Sequence, residues 1–348
     1  MTTPRVSVII VTWNVRELTL ACLRVLEREL DGIQSEIIIV DNASNDGTVA
    51  AVRSAYPDVH VLANDANAGF PAANNQALRV AAGEFILFLN PDTEPGPGAI
   101  SACLAALEAD ASIGVAGCRL ELEDGSVQLE CARRPYLLRH LAMELLYLHM
   151  VFPRSRIFGD HLMGYWDHRG ERDVEAICGA FMLARRSAVD DVGGLPDEVF
   201  MYHEDLAFCL RVRRAGWRIR YLGEHVTLHR WRGSSRQSDA RLSLLEGQYK
   251  LQLIRDAQGP VHAAAGRVLF ALRCASRLAV GGMGTLLFGR TRLAEKYPRV
   301  LDWRSHGLQL VWSVAPWAVA DSVPRAPGGQ RAGSARQETA AAATTVTR

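Results

Sequence analysis

The residues best suited to chemistry are carboxylates placed just after apolar runs. Asp41 follows Ile37-Ile38-Ile39-Val40, and Asp92 closes Leu87-Phe88-Leu89-Asn90-Pro91-Asp92. At Asp41 a carboxylate can accept from the imide or amide N–H of a nucleobase, or it is a turn residue whose side chain caps the next helix. At Asp92 a carboxylate in a water-accessible loop suits a hard cation. Mg²⁺ or Mn²⁺ takes oxygen ligands and tolerates one or two protein carboxylates beside phosphate oxygens. The alternative there is again a helix or turn cap. Glu204-Asp205 opens a helical pattern. A helix N-terminus favours an ionised carboxylate, as a general base requires, although acids are also common in first turns for stability alone. Adjacent helix positions diverge by about 100°, so one acid would be the base and the other would bind acceptor or orient the loop. His229 ends a strand pattern and is either a packing residue or a neutral nitrogen for a metal. His203, His225 and His229 lack the tight spacing of a zinc site.

Cations cluster later in the chain. From Arg211 to Arg241 there are nine Arg and two acids, Glu224 and Asp239. Arg211, Arg213 and Arg214 fit a solvated helix face. Arg230, Arg232 and Arg236 lie in a Gly/Ser-rich loop suited to diphosphate, and that loop could close over a bound nucleotide.

The elements that must position these groups alternate. Val6 to Val11 reads as a buried strand, and Asn14 with Glu17 as a capping box opening a helix to about Leu30. Glu36 to Val40 is a second strand, with a helix from Thr48. Val59 to Leu62 is a third, followed by a helix from Pro71 to Gly83. Glu84 to Leu89 is a fourth, followed by a helix from Gly98 to Ala109. Strand then helix, repeated, predicts an α/β fold with parallel strands and right-handed crossovers. In such sheets ligands bind beyond the carboxyl ends of the strands, which points at Thr12-Trp13-Asn14, Asp41-Asn42 and Asn90-Pro91-Asp92. Further on, Ile113 to Leu122 reads as a strand, Tyr136 to Val151 as one apolar helix and Val174 to Ala184 as a strand. Arg186 to Val192 and His203 to Ala215 read as helices, and Trp217 to Leu222 and Val226 to His229 as two short strands. From Ala240 the pattern is helical. Residues 324–348 are rich in Pro, Gly, Ala and Thr, a composition that predicts disorder.

Composition narrows the classes. The 348 residues carry 39 Lys+Arg against 38 Asp+Glu, a net charge of +1 that argues against a nucleic-acid-coating protein. Hydrophobic residues are 49% and charged ones 22%, so a sizeable core is expected. The seven scattered Cys form no CxxC pair, which fits buried thiols in a reducing, cytoplasmic compartment. Neither Val268–Phe288, interrupted by Arg273 and Arg277, nor Leu308–Ala320, which contains Pro316, reads as a spanning segment. Between His262 and Arg304 eight cations face two acids, either an amphipathic packing unit or a contact with an anionic membrane surface.

Six collinear motifs then resemble glycosyltransferase family 2. They are Val6–Asn14, Val40–Thr48, Asn67-Ala68-Gly69-Phe70 through Asn74-Asn75, Leu87–Asp92, Gly179-Ala180-Phe181, and Tyr202–Asp205 through Arg214–Trp217, spread over residues 5–235. The subgroup resembled is the bacterial rhamnosyltransferase-like one, associated with cell-surface polysaccharide. The resemblance implies a GT-A fold and inverting transfer of a sugar from a nucleoside diphosphate donor, dTDP-rhamnose being favoured over a UDP- or GDP-sugar. The acceptor implied is a lipid-linked or growing glycan. It implies that Thr12, Asn14, Asp41, Asn42, Asn67, Asn90 and Arg232 serve the nucleotide, with Asp41 on the base. Asp92 would be the surviving carboxylate of an Asp-x-Asp signature whose first Asp is replaced by Asn90, and His229 would complete a Mg²⁺ or Mn²⁺ shell. Asp205 matches the catalytic base with Glu204 beside it, and Gly179, Ala180 and Phe181 would lie near the donor sugar. Ala207 departs from the family's frequent Asp at that position, which bears on the acceptor side. The expected organisation is a catalytic domain over 1–235, a helical and membrane-surface extension over 236–322, and a tail over 323–348, peripheral on the inner face of the cell membrane. A nucleotidyltransferase would need a Gly-rich triphosphate loop, and Val8 to Asn14 contains no Gly. A non-catalytic scaffold of the same fold would have lost its acids, and Asp41, Asp92, Glu204 and Asp205 are all present.

Overall fold

The computed structural model describes residues 3–197, 200, 202–230, 240–288, 307, 309–311 and 313. The chain begins β1 (Val6–Thr12), α1 (Arg16–Glu29), β2 (Ser35–Asp41), α2 (Thr48–Ala55), β3 (His60–Ala63), α3 (Phe70–Leu78) and β4 (Phe85–Leu89). Then come β5 (Thr93–Pro95), α4 (Ala99–Ala109), β6 (Ile113–Glu121), β7 (Ala132–Arg133), α5 (Leu138–Leu145) and α6 (Leu148–Val151). They are followed by β8 (Glu171–Asp173), β9 (Ala176–Ile177), β10 (Phe181–Arg185), α7 (Arg186–Val192), α8 (Glu204–Arg214), β11 (Arg218–His229), α9 (Ala240–Gln258) and α10 (Pro260–Phe288).

The expected strand–helix repeat forms one sheet in the order β3-β2-β1-β4-β10-β6-β11-β5, with β8 beside β11. β1 is parallel to β2 and β4, and β2 to β3. Every residue of β1 is buried, which is why its β-branched run reads without alternation. β10 runs antiparallel between β4 and β6, so the start of β10 meets the end of β4: Phe181 is opposite Leu89. β5 is antiparallel to β11, with His229 opposite Thr93. Those two reversals bring residues distant in sequence to the edge where the parallel strands end.

Several local expectations are corrected. Asn14 does not cap α1, whose N-cap is Val15. Asp46, from the loop after β2, instead accepts the Arg16 N–H at 2.8 Å. A single helix over 136–151 is replaced by α5 and α6, because Tyr147 turns left-handed at φ 57°. The strand over 174–184 is interrupted at Cys178-Gly179-Ala180: β9 pairs with β7 while β10 enters the main sheet. The two short strands after Trp217 are one, β11, with a register shift between Leu222 and Val226.

The C-terminal helices pack on α5 and α8. Of the α10 cations, Arg267 and Arg277 are half-buried. Arg273 is buried and pairs with Glu144 at 3.2 Å, alongside Lys250 at 3.2 Å from the same carboxylate. The exposed residues of α10 are instead apolar: Val261, Val268, Leu272, Val280, Met283, Leu286 and Leu287. Five of the eight cations between His262 and Arg304 (Arg290, Arg292, Lys296, Arg299 and Arg304) lie outside the described residues. Among the described residues, no helix is long and apolar enough to cross a membrane. The 323–348 tail, Arg232 and Arg236 lie outside the described residues.

Candidate active site

Thr12 and Asp41 are register partners at the ends of β1 and β2. The buried Thr12 hydroxyl donates to Asp41 Oδ1 at 2.9 Å, and the Ser44 N–H donates to Asp41 Oδ2 at 2.9 Å. Asp41 therefore holds its own turn together and faces Thr12, but it does not cap α2, where the Thr48 N–H donates to Asp46 Oδ1 at 3.1 Å. Asn14 sits at φ 53° and accepts the Asn45 N–H at 2.7 Å, fastening the loop after β1 to the loop after β2. A cleft of about 340 Å³ opens here, lined by Asn14, Val15, Arg16, Glu17, Leu18 and Asp46. Asn42 is buried and clasps the next loop: its amide donates to the Gly69 carbonyl at 3.3 Å, and its oxygen accepts from Asn64 at 3.0 Å. The Asn67 side chain accepts the Gly69 N–H at 2.9 Å within that loop.

At the end of β4 the Asn90 N–H donates to the Ala180 carbonyl at 3.0 Å. Asn90 Oδ1 and Thr93 Oγ1 are buried without a hydrogen-bond partner, a costly state that marks a place for a ligand or water. The β5–β11 pairing sets His229 against Asp92, with Nε2 at 3.3 Å from Oδ1. His229 Nδ1 is 2.6 Å from Gln128 Oε1 and donates to it. In the neutral ring, Nε2 then turns a lone pair toward the carboxylate. Two electron-pair donors face one another, the chemistry a cation or proton satisfies. Among the described residues no group of three or more His, Cys, Asp and Glu could hold a metal, so a cation at Asp92 and His229 needs further ligands from water or substrate.

The acid pair lies at the start of α8. Tyr202 and His203 both take positive φ, 74° and 64°, a strained approach that tertiary packing must enforce. Asp205 is buried, and its Oδ2 accepts from the Arg133 guanidinium and from the Gly179 N–H at 3.0 Å. The Leu206 N–H donates to Oδ1 at 2.7 Å. Glu204 differs. Its Oε2 is buried without a partner, and burial, reinforced by the Asp205 charge, pushes the carboxyl up to about 8. One carboxylate is clamped to a cation, and its neighbour has none. Burial, with the Lys250 charge, lowers His203 to about 4, so that ring is neutral.

The Gly179-Ala180-Phe181 segment lies beside the end of β4. Phe181 is buried in β10 opposite Leu89, and Ala180 is buried with its carbonyl on Asn90. Gly179 serves Asp205: a Cβ there would meet the Asp205 Cβ at 3.4 Å. Arg230 is committed to Glu94 at 2.8 Å and Glu123 at 3.0 Å, which corrects its assignment to diphosphate. Sequence reasoning missed Arg133. Its only trace is the Arg133-Arg134 pair before Pro135. A buried cation looks like any other Arg until β7 pairs with β9 and places it opposite Ala176, two residues before Cys178-Gly179.

A mostly parallel sheet flanked by helices, with a helical C-terminal region, defines a fold of the GT-A type. The chain belongs to glycosyl transferase family 2, whose model matches residues 7–193, more than half of the protein. It is a glycosyltransferase. It is 33% identical over 207 residues to an N-acetylglucosaminyl-diphospho-decaprenol L-rhamnosyltransferase of Mycobacterium tuberculosis; the match covers 56% of this chain and 66% of that protein. It is 27% identical over 255 residues to a pre-mycofactocin glycosyltransferase of the same organism, covering 71% of this chain and 48% of that protein. In fold it is similar to a mannosyltransferase of Pyrobaculum calidifontis solved with GDP-Man and Mn²⁺, at TM-score 0.52 and 21% identity, covering 90% of this chain and 87% of that one.

Proposed function

We propose that the protein is an inverting, metal-dependent glycosyltransferase that moves a sugar, rhamnose from dTDP-rhamnose, to a hydroxyl of a lipid-linked or growing cell-surface glycan. The observation that carries this reading is the Asp92–His229 couple just beyond β4, where Asn90 bonds Ala180, the neighbour of the Gly179 whose N–H holds Asp205. The donor follows the relative named as an L-rhamnosyltransferase. The lipid-linked acceptor follows the diphospho-decaprenol in that same name. The catalytic unit is assigned to 1–235 and the helical extension to 236–322, peripheral on the cytoplasmic face of the membrane.

The donor set fits a hard divalent cation. Asp92 Oδ1 and His229 Nε2 would hold it, with diphosphate oxygens completing the shell. Its chemistry would be to neutralise charge on the leaving diphosphate. Mn²⁺ in the Pyrobaculum structure supports a divalent ion of this kind. The loops at Asn14, Asp41, Asn42, Asn67 and Asn90 are assigned to the nucleotide, with the unpartnered Asn90 Oδ1 the oxygen most in need of a donor. Asp205 Oδ1 takes the proton of the acceptor hydroxyl. The hydroxyl oxygen forms its bond to the anomeric carbon as the bond to the diphosphate oxygen breaks, with the electron pair leaving on diphosphate. One displacement from the opposite face inverts the configuration.

A panel of dTDP-, UDP- and GDP-sugars with a lipid-linked N-acetylglucosaminyl acceptor, read by nucleoside diphosphate release, tests this. Turnover should be greatest with dTDP-rhamnose and should fall at least 100-fold with a chelator. Turnover unchanged by chelator overturns the metal assignment. Preference for a UDP- or GDP-sugar overturns the donor.

A further inference from the structure

We propose that Arg133 is the positioning residue of the catalytic base, fixing which oxygen of Asp205 receives the proton. This deepens the reading of Asp205 as base and rests on it. Arg133 lies on β7 and Asp205 on α8, elements separated by some seventy residues and joined through Gly179, which follows β9, the partner of β7. The Arg133 guanidinium and the Gly179 N–H occupy both lone pairs of Asp205 Oδ2. Oδ1 carries one donor, the Leu206 N–H, which leaves its second lone pair to accept a proton. The three donors come from three different segments, so the carboxyl cannot rotate about its Cβ–Cγ bond without breaking the pair. A guanidinium does this better than an ammonium because its fork is planar and fixed.

The pair is also electrostatically enclosed. Cys178 in the loop before β10 and Cys209 on α8 are both raised by burial, the Asp205 charge adding to the effect. Glu204 and His203 face Asp205 from the α8 N-terminus, and Glu130 and His161 feel Arg133 from the segments on either side of α5. Arg133 is the buried cation paired with the Asp205 carboxylate in this setting.

The test is the pH profile of turnover for Arg133→Met and Arg133→Lys in the full chain. For Arg133→Met the acid limb should move up by roughly 1–3 pH units. Its kcat should fall at least tenfold, and the donor KM should stay within twofold. Arg133→Lys, which keeps charge without the fork, should retain the acid limb and still lose kcat. A profile for Arg133→Met that superimposes on wild type overturns the proposal. So does a raised donor KM at unchanged kcat, which would make Arg133 a diphosphate ligand. Should Arg133→Met not fold, as circular dichroism would show, wild-type kcat in Arg133→Lys overturns it alone. Asp205→Asn separates the two claims. Full activity in that variant refutes the base itself, whereas an inactive Asp205→Asn with an unmoved Arg133→Met profile refutes only the positioning.

Discussion

Two adjacent acids on one helix turn have opposite environments. Asp205 is bound to a buried cation and two N–H groups, and Glu204 is left with a buried, unpartnered oxygen. Raised from 4.5 to about 8, Glu204 keeps its proton in the folded state across a window where the unfolded chain loses it. The folded state then binds more protons than the unfolded one, so stability falls as pH rises through that window. Glu204→Gln cannot ionise, and its Tm should drop less than that of wild type between about pH 5 and about pH 8, by roughly 2–4 °C or more. Parallel Tm curves for the two proteins would show that Glu204 is solvated. At this scale the sequence was informative about residue types: Asp41 ends β2, His229 ends β11 beside Asp92, and Glu204 and Asp205 open α8. It was silent on partners. Nothing local distinguishes Arg133, which binds Asp205, from Arg230, which binds Glu94 and Glu123.

At the scale of elements, the site depends on two antiparallel insertions into a parallel sheet. β10 brings Gly179 and Ala180 to the end of β4, and β5 with β11 brings Asp92 to His229. The β5–β11 pairing is extended by Gly96, whose N–H donates to the Val226 carbonyl at 3.0 Å. A Cβ at Gly96 would lie 2.2 Å from that same carbonyl oxygen. Gly96→Ala should therefore cost about 1–3 kcal/mol of stability. It should also weaken Mn²⁺ binding by separating His229 from Asp92, measurable by calorimetry with donor nucleotide present. Unchanged stability would mean that β5 shifts freely against β11. The parallel strands were legible because their apolar runs are continuous and their turns are rich in Gly, Asn and Asp. Strands of two or three residues, such as β5, β7, β8 and β9, carry too little periodicity to be read and exist because a neighbour pairs with them. The supposed capping box at Asn14 failed for a related reason: Asp46, thirty positions away, supplies the cap.

For the whole molecule, near-neutral charge conceals how the ions are arranged. The C-terminal cations Lys250 and Arg273 are spent inside, on Glu144, and α10 turns Val268, Leu272, Met283, Leu286 and Leu287 outward. Contact with a membrane surface would then be driven by apolar burial, at about 25 cal/mol per Å², and would resist salt. Met283→Glu with Leu286→Glu should release the protein from neutral phosphatidylcholine vesicles in a flotation assay, and added salt should not. Salt-sensitive binding confined to anionic vesicles would favour the basic-face reading. Charge counting along the sequence could not show which side of a helix its arginines occupy, because that depends on Glu144 from α5. A single-displacement sugar transfer from a nucleoside diphosphate donor is read by the anomeric configuration of the glycosidic product, followed by NMR during turnover with dTDP-rhamnose. The product should be opposite in configuration to the donor from the first turnover; a product of retained configuration would rule out single displacement.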